Sequence, residues 1–251
     1  MHIEQTKIVS IKEVQSHTFL LSIQSEYFAG TTNPGQFFNI KVSDNNFPLL
    51  RRPFSVCDVD GDIISFLFDV HGEGTKILSK KKPGDDLDVF GPLGNGFNYS
   101  SDFQTAIIVA GGLGVAPFPF LLKKIPADKP VFSFVGARNS NQLITYGIKN
   151  TKLATDDGSA GFRGNVVQLL KNEIHNINGV KKIFACGPNV MLRSLVEWTT
   201  SIGIETEISV ECAMACGFGI CQGCPTEKSD KSGYLLVCKD GPVFNSQEIV
   251  I

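Results

Sequence analysis

The chain has 251 residues, a formal net charge of −2, and 42% apolar and 19% charged residues. This length accommodates two compact domains or one large one. The composition is ordinary for a globular protein. The small negative charge argues against nucleic acid as a partner, because phosphate-binding proteins usually carry a clear basic surplus.

One uncharged stretch, residues 105–122, is long enough to be considered as a membrane span. Glycines and prolines interrupt its middle, at Gly111, Gly112, Gly114, Pro117 and Pro119. We therefore expect a buried strand, a Gly-rich turn and a helix instead. The amino-terminal residues 1–7 are polar and predict no export signal, so the protein is predicted to be cytoplasmic.

Residues 1 to about 98 have the pattern of an antiparallel β-barrel. Short runs rich in β-branched and aromatic residues recur at 6–14, 17–25, 35–42, 62–70 and 86–91. Turn signals such as Asn33-Pro34-Gly35 separate them. Several short strands at this spacing are typical of a barrel. One helix is predicted at roughly 75–82.

From about residue 104 the pattern changes to apolar strands that alternate with helices. Strands are predicted at 105–110, 131–135, 151–155, 181–186 and 206–210, and helices at 115–124, 165–174 and 189–202. Buried strands in alternation with helices indicate a parallel sheet of the nucleotide-binding kind. From residue 211 onward, cysteines, glycines and short strands indicate a third, small module.

The cysteines point to a metal centre. Five of the seven fall in the last 40 residues. Cys216, Cys221 and Cys224 form C-x4-C-x2-C, and Cys238 follows after thirteen residues. This is the plant-type spacing of a 2Fe–2S cluster, which needs four thiolates. The nearby glycines let the backbone curl around the sulfides and direct N–H groups at them.

Zinc and inert thiols are the alternatives for this cluster of cysteines. A structural zinc site usually has two C-x2-C pairs, and only Cys221 and Cys224 form one, so the spacing favours iron–sulfur. Cys212, Cys216, Cys221 and Cys224 would form a different set of four cysteine ligands. The C-x4-C-x2-C register leaves Cys212 out, and we expect it to be a small buried residue, with Cys57 in a packing role.

A second group of residues suggests a dinucleotide clamp in the barrel region. Arg52-Pro53-Phe54-Ser55 enters a strand, Leu67-Phe68-Asp69 follows on the next, and Gly72-Glu73-Gly74-Thr75 opens a helix. An arginine fork binds a pyrophosphate bidentately, and a helix amino terminus offers N–H groups to the same anion. Ser55 is placed to donate to a flavin edge. Each piece alone is equally compatible with an ordinary surface turn.

A nicotinamide site is predicted at the carboxyl ends of the parallel strands, where such sheets bind ligands. The turn with Gly111, Gly112 and Gly114 follows the first of these strands, and Cys186-Gly187-Pro188 ends a later one. A lone Gly-rich turn is weak evidence. Cys186 fits a core cysteine equally well.

Two further polar groups end strands at the same edge. The acidic pair in 155–159 suits ribose hydroxyls or a solvated turn. Arg138 can meet a 2′-phosphate, although solvent exposure is the favoured expectation.

With these motifs in place, residues 1–210 resemble the ferredoxin–NADP reductase superfamily. The matching motifs are P-G-Q-F (34–37), R-P-F-S (52–55), G-E-G-T (72–75), A-G-G-L-G-V-A-P (110–117) and C-G-P (186–188). The tail motifs at 211–224 and 237–244, with T-D-D-G-S at 155–159, narrow the resemblance. They are similar to those of the electron-transfer subunits of class 1B dihydroorotate dehydrogenases, and the similarity covers essentially the whole chain.

The resemblance implies three domains: an FAD-binding β-barrel (1–100), an NAD-binding α/β domain (101–210) and a 2Fe–2S module (211–251). It implies cluster ligands Cys216, Cys221, Cys224 and Cys238. The two loops at the sheet edge predict NAD contacts at Gly111, Gly112, Gly114, Cys186 and Gly187. We expect no catalytic acid or base of the chain's own, because a flavin carries the chemistry. The implied FAD contacts are Arg52, Pro53, Phe54, Ser55, Leu67, Phe68, Asp69, Gly74 and Thr75.

The resemblance also implies a partner and a pathway. Dihydroorotate would be oxidised at an FMN in a separate catalytic subunit, in pyrimidine biosynthesis, within a heterotetramer of two copies of each chain. Electrons would pass through the cluster and FAD to NAD⁺. The rival is the flavin subunit of another NAD(P)H-dependent complex, such as a ferredoxin:NADP oxidoreductase or a cytosolic hydrogenase. A different class of protein, a scaffold with a zinc-binding tail, is the further alternative.

Overall fold

The amino-terminal region forms the barrel that the strand spacing predicts. The computed structural model describes residues 1–43 and 45–251. Six antiparallel strands close in the order β1-β2-β5-β4-β3-β6. The strands are β1 (His2–Gln15), β2 (Thr18–Gln24), β3 (Phe37–Lys41), β4 (Arg52–Asp60), β5 (Ile63–Asp69) and β6 (Asp86–Leu93).

Two short helices accompany the barrel, α1 (Glu26–Thr31) and α2 (Glu73–Leu78). Helix α1 was not predicted; Ser25 caps it by accepting a hydrogen bond from the Phe28 amide at 3.2 Å. Helix α2 was predicted at roughly 75–82, whereas it begins at Glu73 and ends at Leu78. The Thr75 hydroxyl accepts from the backbone N–H of Gly72 at 3.2 Å, so Gly72 is the N-cap of α2.

Aromatic rings fill the barrel. The Phe38 ring lies 4.9 Å from that of Phe28 and 5.5 Å from that of Phe66, both in edge-to-face geometry. All three side chains are fully buried. A Cβ on Gly91 would overlap the Phe38 ring, so a glycine in β6 makes room for it.

The second region contains the expected strand–helix alternation. Its elements are β7 (Thr105–Gly111), α3 (Phe118–Lys124), β8 (Val131–Ala137), β9 (Thr151–Thr155), β10 (Phe162–Arg163), α4 (Val166–Glu173), β11 (Lys181–Cys186), α5 (Asn189–Ser201) and β12 (Glu205–Ser209). The carboxy-terminal segment adds β13 (Pro225–Glu227), β14 (Tyr234–Leu236) and β15 (Val243–Asn245).

The sheet has the order β10-β9-β8-β7-β11-β12-β15 and is parallel except for β15. Strand order reverses at β7, because β8 pairs with one side of it and β11 with the other. The carboxyl ends of β7 and β11 therefore border the crevice where sheets of this kind bind ligands.

The carboxy-terminal segment is joined to the sheet rather than separate from it. Strands β13 and β14 form a small antiparallel hairpin. Strand β15 then pairs with β12, with Ser209 opposite Val243. The domain boundary at 210/211 stays a prediction, and hydrogen bonds between strands cross it.

The linker between barrel and sheet is anchored by aromatic packing. Phe97 stacks on Phe118 at 5.8 Å and meets Phe184 edge-on at 5.6 Å. Phe118 lies in α3 and Phe184 in β11, so the linker is packed against two elements of the sheet domain. This contact is one of those that join the barrel region to the sheet, as is the packing of α3 against β4.

None of the helices in residues 1–43 and 45–251 has the length and apolar character that crossing a membrane requires.

Candidate functional site

A groove lies between the barrel and the carboxyl edge of the sheet. Its volume is about 210 Å³. Leu113, Pro117 and Cys186 contribute its wall on the sheet side. Seven of the nine residues predicted to contact FAD line the barrel side: Pro53, Phe54, Ser55, Leu67, Phe68, Asp69 and Thr75. Strands β4 and β5 thus bring together side chains that are far apart in the chain.

The other two predicted FAD residues, Arg52 and Gly74, meet beside this groove. A Cβ on Gly74 would lie 2.9 Å from Nε of Arg52. The Arg52 side chain therefore crosses the first turn of α2, as a pyrophosphate clamp requires. The adjacent Arg51 is engaged elsewhere, since its Nη2 pairs with Oδ2 of Asp88 at 2.8 Å.

Thr75 stabilises the turn at the start of α2. Its hydroxyl accepts from the backbone N–H of His71 at 2.9 Å and of Gly72 at 3.2 Å. It donates to the Gly72 carbonyl at 3.1 Å. The hydroxyl thereby holds the turn that places Gly74 against Arg52.

A larger crevice of about 970 Å³ opens at the carboxyl ends of β7, β8 and β9. Gly111 and Gly112 line it, as predicted for the nicotinamide site. Gly112 has a φ of +54° and open space where a Cβ would stand. A side chain there would be strained and would enter the crevice. Asp69 and Leu113 line both the crevice and the groove, so the two adjoin at these residues.

Two of the predicted nicotinamide glycines pack the loops together instead of lining the crevice. A Cβ on Gly114 would overlap the carbonyl of Cys186, and one on Gly187 would lie 3.0 Å from the Gly111 nitrogen. Their lack of a side chain allows the turn after β7 to lie directly on the loop after β11. The role of both glycines is close backbone approach.

Cys186 has the burial of a core cysteine, and it lines the groove instead of the crevice predicted for the nicotinamide. It is 2% exposed, as a core cysteine is, and it also forms part of the groove wall. Burial, with the nearby Glu211 carboxyl, raises the pKa of its thiol well above the usual range. Cys186 is therefore a neutral thiol at the groove wall.

The polar groups that follow β8 and β9 have different surroundings in the structure. Asp156 and Arg138 both line the crevice, and both are exposed. Asp157 accepts from the Ser159 hydroxyl at 2.6 Å and from its backbone N–H at 2.9 Å, which lowers the pKa of that carboxyl. Of the acidic pair, Asp156 is the member that lines the crevice.

The four predicted cluster cysteines come together as two pairs. The Sγ atoms of Cys224 and Cys238 lie 3.2 Å apart. The backbone N–H of Cys221 donates to Sγ of Cys216 at 3.5 Å. Two thiolates on each of two irons is the ligand arrangement that a 2Fe–2S cluster needs. In the described part of the chain, no three His, Cys, Asp or Glu side chains converge as a site for a single ion.

Backbone amides favour the thiolate form in this loop. Burial alone would raise the pKa of Cys216. The N–H groups of Cys221, Phe218 and Gly219 surround its sulfur and lower that pKa to about 6. Gly219 has a φ of +95°, which the loop needs in order to turn its amides inward. The thiol pairs and the amides fit an iron–sulfur cluster.

Cys212 lies between the cysteine loop and the groove. It lines the groove, and burial followed by the neighbouring Cys224 raises the pKa of its thiol to about 11. It is half-buried rather than fully buried. Cys212 is thus close to the pair formed by Cys224 and Cys238, and its thiol stays protonated.

The third module contributes two groove residues that were not predicted from the sequence, Glu211 and Met214. The residue Glu211 is exposed, yet its carboxyl in the groove wall is partly withdrawn from water, which raises the pKa of that carboxyl. The available signal was position, because Glu211 follows closely on the carboxyl end of β12, at the sheet edge where ligands bind.

We expect Arg52→Ala to weaken FAD retention and to leave the iron content unchanged. A hydrogen bond to a charged group contributes roughly 1.5–3 kcal/mol, which corresponds to about a ten- to hundredfold loss of affinity. FAD per chain after dilution and gel filtration measures the effect. Arg51→Ala is the matched control, since Asp88 holds that guanidinium. Equal FAD loss in both variants would contradict the clamp.

Comparisons with known proteins agree with this geometry. Residues 211–250 match the family profile of the iron-sulfur cluster binding domain of dihydroorotate dehydrogenase B. A solved structure of an NADH-dependent reduced ferredoxin-NADP oxidoreductase is 26% identical and has a TM-score of 0.83, covering 98% of this chain and 90% of that one. A ferredoxin NADP⁺ reductase from Neisseria gonorrhoeae, 17% identical, shares the fold with a TM-score of 0.66 over 81% of this chain and 92% of its own.

Curated relatives extend over the whole chain. The dihydroorotate dehydrogenase B (NAD(+)) electron transfer subunit of Clostridium acetobutylicum is 36% identical over 98% of this chain and 96% of its own. The subunit of the same name from Fusobacterium nucleatum is 33% identical over the full length of both. The chain therefore belongs to the family of dihydroorotate dehydrogenase B (NAD(+)) electron transfer subunits.

Proposed function

We propose that this chain accepts electrons from an FMN-containing catalytic subunit that oxidises dihydroorotate and delivers them to NAD⁺. The proposed assembly is a cytoplasmic heterotetramer of two copies of each subunit, acting in pyrimidine biosynthesis. The 2Fe–2S cluster is assigned to Cys216, Cys221, Cys224 and Cys238. FAD is assigned to the groove and NAD⁺ to the crevice.

One observation carries the proposal: the groove adjoins both the cysteine loop and the crevice. Cys212 borders the groove and lies next to Cys224. The groove also shares the lining residues Asp69 and Leu113 with the crevice. A flavin in the groove would therefore lie between the cysteine loop, where electrons enter, and the crevice assigned to NAD⁺.

The protein's task in this scheme is to hold and orient the cofactors. When bound, a flavin exchanges one or two electrons and a 2Fe–2S cluster only one, so together they link single-electron input to hydride transfer. Arg52 and the first turn of α2 hold the pyrophosphate. Phe54, Leu67 and Phe68 supply apolar groove wall. Gly112 keeps the crevice floor open, and Asp156 accepts from ribose hydroxyls.

One rival remains, the flavin subunit of an NADH-dependent ferredoxin:NADP oxidoreductase. It is favoured by the TM-score of 0.83 to such a protein. Identity to the dihydroorotate dehydrogenase relatives is higher, at 36% against 26%. The two assignments differ in the electron donor and share the same cofactor sites in this chain.

We expect the isolated chain to oxidise NADH with an artificial electron acceptor and to show no activity towards dihydroorotate. The first expectation follows because the groove and the crevice adjoin within one chain. The second follows because both sites are assigned to dinucleotides. Adding the FMN-containing catalytic subunit should then allow dihydroorotate to reduce NAD⁺. Absorbance at the NADH band measures both reactions.

The outcomes separate the alternatives. Dihydroorotate turnover by this chain alone would refute the division of labour between subunits. A stable complex with a ferredoxin:NADP oxidoreductase subunit, and none with a dihydroorotate-oxidising subunit, would move the assignment to the rival. If the purified protein showed neither flavin nor iron–sulfur absorption, the remaining assignment would be a scaffold protein with a zinc-binding tail.

A further inference from the structure

The turn between β1 and β2 forms part of the wall of the crevice assigned to NAD⁺. Gln15, Ser16 and His17 line the crevice from the barrel, together with Asn141 and Asp156 from the sheet domain. The turn carries none of the sequence motifs that predicted the cofactor sites. The proposed function therefore gives no role to a barrel element that stands at the nucleotide crevice.

Hydrogen bonds fix the conformation of this turn. Gln15 pairs with Thr18 across it, and His17 within it has a φ of +63°. A positive φ is uncommon for a residue with a side chain, so the turn needs support. The carboxylate of Glu13 accepts from the His17 backbone N–H at 2.8 Å, and the Val70 backbone N–H donates to the His17 carbonyl at 2.9 Å. The end of β1 is thereby held in a defined position.

Gln15 makes a hydrogen bond from the barrel to the sheet domain at the crevice. Its Nε2 donates to the backbone carbonyl of Asn141 at 2.7 Å, although the two residues are 126 positions apart. Asn141 belongs to a short 3₁₀ turn, Ser140–Gln142, that follows β8. Because both residues line the crevice, this bond joins its barrel wall to its sheet wall.

The hydrogen bonds continue from this 3₁₀ turn to the acidic turn after β9. The backbone N–H of Ser140 donates to the Ser159 hydroxyl at 2.8 Å. That hydroxyl donates to Oδ1 of Asp157 at 2.6 Å. Asp157 directly follows Asp156, the acidic residue that lines the crevice. Gln15 is thus connected through two turns to the carboxylate assigned to a ribose.

The position of Asp156 indicates which ribose it meets. Strand β9 is two places from β7 in the sheet, so Asp156 lies about 10 Å from the end of β7 at the usual strand spacing. The nicotinamide ring has to reach the groove, whose wall includes Leu113 just after β7. The ribose at Asp156 therefore belongs to the adenosine end of the dinucleotide.

We propose that Gln15 is a positioning residue for NAD⁺, because its hydrogen bond to the Asn141 carbonyl holds the two turns that present Asp156 to the adenosine ribose. This inference rests on the proposed function, which assigns the crevice to NAD⁺. Turns that are ordered before the nucleotide arrives need no ordering when it binds, and this strengthens binding. The barrel thus contributes to nucleotide binding as well as to the flavin groove.

The test compares Gln15→Met with Gln24→Met in the chain loaded with FAD and cluster. Methionine keeps the side-chain length and removes the amide donor. Gln24 is the matched control, since its Nε2 donates to Oδ2 of Asp62 at 2.6 Å at the far end of β2. We expect the dissociation constant for NAD⁺, measured by titration calorimetry, to rise about three- to tenfold in Gln15→Met alone, as loss of one hydrogen bond does.

Three further measurements separate positioning from a purely structural contact. The affinity for AMP, which contains the adenosine ribose and lacks the nicotinamide, should fall by the same factor. The KM for NADH with an artificial acceptor should rise at unchanged kcat, because the contact is the same before and during hydride transfer. Ser159→Ala breaks the same series of hydrogen bonds at its other end. The double variant Gln15→Met/Ser159→Ala should therefore bind NAD⁺ no more weakly than the weaker single variant.

Equal affinity of Gln15→Met and Gln24→Met for NAD⁺ would overturn the inference and leave the proposed function standing. The inference would also be wrong if Gln15→Met lowered only the thermal midpoint, since the bond would then join barrel and sheet without affecting the nucleotide. Losses of affinity that add in the double variant would show that Gln15 does not act through the turn with Ser159, and would refute it too. If the unaltered chain bound no NAD⁺, the inference and the proposed function would both fail.

Discussion

Cys238→Ser is expected to lose the iron–sulfur cluster, and Cys212→Ser is expected to keep it. Cys238 is buried and its sulfur lies 3.2 Å from that of Cys224, so the serine variant leaves one iron with a single thiolate. Cys212 borders the same pair as a protonated thiol and stands outside the C-x4-C-x2-C register. Iron per chain and the electron paramagnetic resonance signal of the reduced protein measure both variants.

The two variants control for each other, because each replaces one sulfur near Cys224 with oxygen. FAD content should be unchanged in Cys212→Ser, although that residue borders the groove. A full cluster in Cys238→Ser together with none in Cys212→Ser would overturn the ligand assignment. The set of four would then be Cys212, Cys216, Cys221 and Cys224.

The fold class was predicted from local sequence patterns, and the structure confirms it. Apolar runs at short spacing predicted the barrel, and strand–helix alternation predicted the parallel sheet. The weaker predictions concerned helix limits and short elements. Helix α1 has six residues, and its local signal is limited to the N-cap Ser25. Tertiary packing of Phe28 inside the barrel stabilises so short a helix.

The candidate sites were predictable where a motif carries its own chemistry. Six of the predicted FAD residues line one groove because β4 and β5 are neighbours, and Thr75 joins them from α2. The sequence does not distinguish a glycine that lines a site from one that packs two loops together. Gly112 and Gly114 look alike in the motif, yet one faces the crevice and the other faces the Cys186 carbonyl.

Contacts between distant parts of the chain could not be predicted from the sequence. The contribution of Glu211 to the groove, and the contact of Asn39 with the cysteine loop, depend on how separate segments pack. Asn39 and Cys216 are 177 positions apart, and nothing in either local pattern names the other. Such pairs become visible only in the folded chain.

A buried ion pair beside the linker is expected to contribute strongly to the stability of the folded chain. Lys182 is fully buried, and its Nζ lies 2.6 Å from Oε1 of Glu205 and 2.8 Å from Oε1 of Glu207. It also donates to the Asn98 carbonyl at 2.9 Å. Glu207 in turn accepts from the Asn98 backbone N–H at 2.9 Å. The pair therefore ties the linker between barrel and sheet to β11 and β12.

We expect Lys182→Met to destabilise the protein by about 3–5 kcal/mol, because removing one partner leaves a buried charge without compensation. The thermal midpoint should fall by about 2–4 °C for each kcal/mol in a chain of this size. Glu207→Gln in the Lys182→Met background is the control. It removes the stranded carboxylate and should recover part of the loss. A midpoint within about 2 °C of the unaltered protein would contradict a stabilising role.

The destabilisation should also depend on pH, and the direction follows from Glu207. Burial already raises the pKa of this carboxyl, and Lys182 is the neighbour that opposes the rise. Without the lysine, the pKa in the folded chain is higher still, so the folded state binds a proton that the unfolded state has released. Stability is then retained at a pH below the unfolded pKa and is lost as the pH rises through the raised folded pKa. Thermal midpoints at pH 5.5 and pH 8 should therefore differ more between Lys182→Met and the unaltered protein at pH 8. An equal difference at both values would mean that Glu207 is not the group left uncompensated.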